Sequence, residues 1–107
     1  MAGIRKVSKT QHRRRLRDDV SSIHKIAAKA TANALLGQLE AGRTLISIAK
    51  RRSPFDEKYI KCTSTVKRIL AFTDAARWTL YLQPEDILKI SAENESLFFE
   101  LEAMSRR

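Results

Sequence analysis

Leu39-Glu40-Ala41-Gly42-Arg43-Thr44-Leu45-Ile46-Ser47-Ile48-Ala49-Lys50-Arg51-Arg52-Ser53-Pro54-Phe55-Asp56 is the stretch that decides how many helices this chain makes. Glycine relieves left-handed strain at a helix C-terminus, so Gly42 reads as a stop. Thr44 can then cap a short helix over 44–52, with Leu45, Ile48 and Ala49 as its inner face. Lys50, Arg51 and Arg52 close that helix, where cations complement the macrodipole. Ser53-Pro54 with Asp56 is a start signal: an N-cap residue, proline at the first helical position and an acid in the first turn.

N-terminal of this stretch, Leu16, Val20, Ile23, Ala27, Ala30 and Ala34 recur at alternating spacings of four and three. That repeat predicts one long helix over about 10–41, with these residues as its packing seam and a close neighbour at the alanines. Lys25 and Lys29 fall off the seam. Residues 1–9, basic and containing Gly3, read as a flexible arm.

C-terminal of it, Phe55, Tyr59, Cys62, Val66, Ile69 and Thr73 form a helical stripe, predicting a helix over 54–72. Thr73-Asp74 can cap a further short helix over 75–82, with Ala75, Trp78 and Leu82 on one face, or the segment continues the previous helix after a kink. Gln83-Pro84-Glu85-Asp86 repeats the start signal. From there Ile87, Ile90, Asn94, Leu97, Leu101 and Met104 predict a last helix over 84–104. Asn94 is its one polar member and a candidate for fixing register. The expectation is an all-α domain, a small bundle of four or five helices over residues 10–107.

The 107 residues carry 21 Lys/Arg and 12 Asp/Glu, a formal charge of +9. The excess is uneven: residues 1–68 hold 17 basic and 5 acidic side chains, while residues 69–107 hold 4 and 7. A polyanion is the natural partner of the basic part. Arg13, Arg14, Arg15 and Arg17 stand in the first turns of a helix, where cations oppose the dipole, so their placement costs stability and points to phosphate contact. With Lys25, Lys50, Arg51, Arg52, Ser64, Lys67 and Arg68 they are the candidate nucleic-acid-binding residues.

Gly42, Thr44, Leu45, Ile48 and Ala49, followed by Ser64, Thr65, Val66, Arg68 and Leu70, resemble the two helices of helix-turn-helix DNA-binding domains. The pattern is similar to that of resolvases, small repressors and phage terminase small subunits. The resemblance implies that Leu45, Ile48 and Val66 pack together, with Thr63, Ser64, Lys67 and Arg68 toward a major groove. It covers residues 42–70 and departs from the family at 53–59, an insertion where those domains have a tight turn. Two readings stand: an extra turn before a recognition helix starting at Thr63, or a single helix over 54–72.

Chemistry is sparse. His12 and His24 have no cysteine or carboxylate at metal-ligand spacing. Cys62 is alone, on an apolar stripe and with no disulfide partner in the chain. No glycine-rich loop is present to cradle a phosphate. Neither an enzyme, a metal nor a cofactor is expected. No apolar run approaches the roughly 20 residues that span a bilayer, and no secretory leader is evident. A cytoplasmic protein is expected, nuclear in a eukaryote, with no membrane partner.

The functional expectation is a small DNA-binding regulatory or accessory protein, DNA ranking ahead of RNA. The alternative is a helical adaptor or inhibitor whose basic face docks on a nucleic-acid-processing protein. The acidic C-terminal helix either completes the core or carries a homodimer or partner contact, with Tyr81 and Phe99 as candidate outer-face aromatics.

Overall fold

Three helices, rather than four or five, make up the described chain: α1 (Lys9–Ala49), α2 (Glu57–Thr79) and α3 (Pro84–Ser105). The structure is a computed structural model describing residues 9–106, with side chains from residue 20 onward. The expected basic arm therefore lies outside the described residues, apart from Lys9, which opens α1.

The expected stop at Gly42 does not form, and the reason is packing. No residue among those described has positive φ. A Cβ on Gly42 would lie 2.6 Å from Leu97 Cδ2, so the glycine serves the close approach of α3 to α1. Thr44 is no cap either; its hydroxyl donates to the Glu40 carbonyl one turn back, inside a continuous helix. Helices 10–41 and 44–52 are thus one helix of 41 residues.

α1 ends where Arg51 N–H and Arg52 N–H reach back only three residues, to Ile48 and Ala49 carbonyls. The chain reverses over Ser53-Pro54-Phe55, and Asp56, not Ser53, caps α2: its carboxylate accepts the Lys58 N–H at 2.8 Å. The expected break at Thr73-Asp74 is also absent. Thr73 is fully buried and its hydroxyl donates to the Ile69 carbonyl, so 54–72 and 75–82 merge into α2. The start at Pro84 stands, with Gln83 as N-cap residue.

The three helices pack around one core. α3 contributes Ile90, Leu97, Leu101 and Met104, four members of the stripe expected from sequence. α2 contributes Cys62, Val66, Leu70, Thr73 and Ala76; Phe55 is solvent-exposed, in the turn before the helix. Asn94 is buried, and its amide donates to the Leu70 carbonyl and the Thr73 hydroxyl. A buried amide that must reach α2 at one height penalises sliding of α3 along it. Full burial of Leu39, Ile46, Ile90, Leu97 and Val66 contributes about 1.5–3 kcal/mol each.

The seam of α1 is the main correction. Its buried residues are Ala28, Ala32, Leu35, Leu39, Gly42, Ile46 and Ala49, a seven-residue repeat two positions out of phase with the expected one and so on nearly the opposite face of the helix. Val20, Ile23, Ala27, Ala30 and Ala34 face solvent instead. Traced toward the N-terminus, the true seam meets Lys25 and Ser21, which give a partner helix nothing to bury. The bundle accordingly stops near Ala28, where the α2–α3 connection lies against His24, Ala27, Ala28 and Thr31. At 1.5 Å per residue, α1 continues for roughly 28 Å beyond it.

Candidate nucleic-acid interface

The basic residues singled out in the sequence are not gathered into one surface within the chain. Arg13, Arg14, Arg15 and Arg17 belong to the projecting part of α1; their side chains lie outside the described residues. Lys25 is exposed at the foot of that projection. Lys50, Arg51 and Arg52 are exposed at the far end of α1. Along a straight helix, Arg15 and Arg51 are about 54 Å apart.

The two groups differ in setting. Lys50–Arg52 follow the carbonyl end of α1, which attracts cations. The chain reversal then brings Lys58 beside Arg51 and Arg52 in an open cleft, with Asp56 at its edge. Asp56 accepts an ion pair from Arg52 at 3.6 Å. Lys58 could not be singled out from sequence because it belongs to this corner only through the reversal at 53–56; the start signal there was the available clue.

Ser64, Lys67 and Arg68 are exposed in the middle of α2. Lys67 lines a groove between α2 and α3, together with Tyr59, Leu70, Arg77, Phe98 and Leu101. In the helix-turn-helix comparison, Leu45 and Ile48 are half-buried and Val66 is buried. They belong to the last turns of α1 and the middle of α2.

Two other basic residues are held by α3. Arg43 reaches Glu93 at 2.7 Å and Glu100 at 3.8 Å. Lys29 reaches the buried Asp86 at 2.8 Å. This bond, and the Asp86 charge behind it, hold the Lys29 ammonium above its ordinary pKa. Part of the acidity of α3 is therefore spent within the chain, tying it to α1.

Apolar side chains on the projecting part of α1, in the last turns of α2 and in the connection after it are exposed. Val20 and Ile23 are 49% and 62% exposed, Trp78 is 70% exposed and Tyr81 is 98% exposed. The Arg77 guanidinium lies 5.0 Å from the centre of the Trp78 ring. Sequence reasoning named Tyr81 but assigned Trp78, Val20 and Ile23 to the interior. Phe99, the other aromatic named, is 57% exposed farther along α3.

Among the described residues, no helix is long and apolar enough to cross a membrane. No family model matches this chain, and the searches of curated proteins and of solved structures found no match.

Proposed function

We propose that this chain is a nucleic-acid-binding protein, a small DNA-binding regulatory or accessory protein that contacts phosphates through α1. The observation that carries the reading is the continuation of α1 beyond the bundle. Residues 9–29 hold seven Lys/Arg and two Asp on one helix. A basic helix standing clear of its own bundle can follow a phosphate backbone without moving any core residue. Arg13, Arg14, Arg15, Arg17 and Lys25 are the primary contacts in this reading. Lys50, Arg51, Arg52 and Lys58 form a second site at the opposite end, and Ser64, Lys67 and Arg68 are secondary contacts on α2.

The test is fluorescence anisotropy with labelled duplex DNA, single-stranded DNA and hairpin RNA over a salt series. Micromolar or tighter binding is expected, with an affinity that falls steeply as salt rises. Replacing the four arginines by glutamine is expected to reduce the salt slope by about one unit for each phosphate that is no longer neutralised. Absence of binding to all three probes at low salt overturns the reading. The exposed Trp78 and Tyr81 favour the second one, an adaptor that docks on a protein, since aromatics are enriched at protein interfaces.

A further inference from the structure

We propose that α1 pairs antiparallel with α1 of a second copy of this chain, through the face that the bundle leaves uncovered. The exposed repeat of Val20, Ile23, Ala27, Ala30 and Ala34, which Leu16 precedes in the sequence at the same spacing, does not end at Ala34. Gly37 and Ala41 continue it at the same three-and-four spacing, and both are exposed. A Cβ built on Gly37 meets nothing within 4 Å. A second heptad seam thus runs along α1 on the face nearly opposite the one that builds the core, with no charged residue in its eight positions.

This second seam is complementary to itself. In an antiparallel pair centred between residues 28 and 29, Leu16 lies across from Ala41, Val20 from Gly37, Ile23 from Ala34, and Ala27 from Ala30. Each large residue meets a small one, so two helices could approach closely and still fill the space between them. The centre of this register is also the middle of α1, which runs Lys9–Ala49. Each projecting half would then lie along the outer face of the bundled half of the other copy's α1. That would account for a helix of 41 residues in a bundle whose other two have 23 and 22.

Charge favours the same orientation. A parallel pair would set the two runs Arg13–Arg17 side by side. The antiparallel register separates them by about 40 Å, several Debye lengths at physiological salt. It also places the run of one copy about 13 Å along the axis from Lys50–Arg52 of the other. Dimerisation does not depend on the nucleic-acid reading, but it would join two basic groups that one chain holds apart.

Sedimentation equilibrium over a dilution series tests the pairing. A species of twice the 12.2 kDa chain mass is expected at the concentrated end. Ala34→Glu puts a good helix former at a position that is exposed in the single chain, so the circular dichroism of the fold should be unchanged. In the dimer it buries an unpaired carboxylate, and the dissociation constant should rise about a hundredfold or more. Register is read by crosslinking in a Cys62→Ser background. Val20→Cys mixed with Gly37→Cys should give a disulfide between the two variants, while Val20→Cys alone should give little. A monomer at all concentrations overturns the proposal, as does a dimer indifferent to Ala34→Glu or efficient self-crosslinking of Val20→Cys.

Discussion

Gly37 and Gly42 sit on the same helix and do opposite things. Gly42 is buried against Leu97, and any side chain there must displace a residue with no exposed surface. Gly42→Val should therefore lower stability by about 1–3 kcal/mol through overpacking. Gly37 has open space around it, so Gly37→Ala should raise stability by about 0.8–1 kcal/mol, the ordinary helix preference for alanine. Urea unfolding at sub-micromolar protein reads both, and a Gly42→Val variant as stable as the parent would refute the packing role. The Lys29–Asp86 pair gives a prediction in pH. Because the folded state raises the Lys29 pKa above 10.5, the pair's contribution is complete below that value. It is lost as pH climbs above 10.5 through the raised value. Lys29→Met should unfold at lower urea than the parent from neutral pH to about pH 10, and the gap should close in more alkaline solution. A gap that persists unchanged there would mean the lysine acts through its apolar stem.

At the scale of the element, α1 divides into a half held by the bundle and a half that is not. A helix without tertiary contacts is marginal in water, since nucleation and propagation nearly balance. In dilute protein, amide exchange should be slow from Ala28 to Ala49 and much faster over residues 20–27. Raising the protein concentration should slow exchange over 20–27 if the second seam pairs. Uniform protection in dilute solution would show that the projection is stabilised within its own chain. The same division explains what the sequence disclosed. α3 was legible because its start signal and its stripe agree, and most stripe residues are buried where the spacing put them. α1 was legible as a helix but not as a packing surface. Two heptad repeats lie on nearly opposite faces of it, 27/30/34 and 28/32/35, both apolar in that region. Periodicity cannot say which repeat meets the core. The one extending to Val20 and Ile23 looked stronger, and it is the one left outside. The local signals at Gly42 and Thr73 failed for a related reason, since packing against Leu97 and Asn94 of α3 overrides a weak preference to stop.

At the scale of the molecule, the basic residues pose a question of reach. Within one chain the run Arg13–Arg17 and the corner Lys50–Arg52 are separated by about 54 Å. A 10-bp duplex is about 34 Å long, so one straight chain cannot lay both groups on it. The antiparallel pair changes this, because the two groups then come from different copies and lie about 13 Å apart along the axis. Short duplexes therefore separate the two arrangements. If the chain binds alone, substituting Lys50, Arg51 and Arg52 by glutamine should leave the salt slope of a complex formed at the arginine run unchanged. If the pair is the binding form, the same substitutions should reduce that slope by up to about three units, one for each cation removed from a phosphate. Ala34→Glu, by removing the pair, should return the slope to the single-chain value and abolish the effect of the corner. The decisive comparison is the slope measured on the 10-bp probe for the parent, the corner variant, Ala34→Glu and the combination. Equal reductions from the corner substitutions with and without Ala34→Glu would show that the corner acts independently of pairing. A reduction seen only when the seam is intact would show that the basic surface is assembled between two copies.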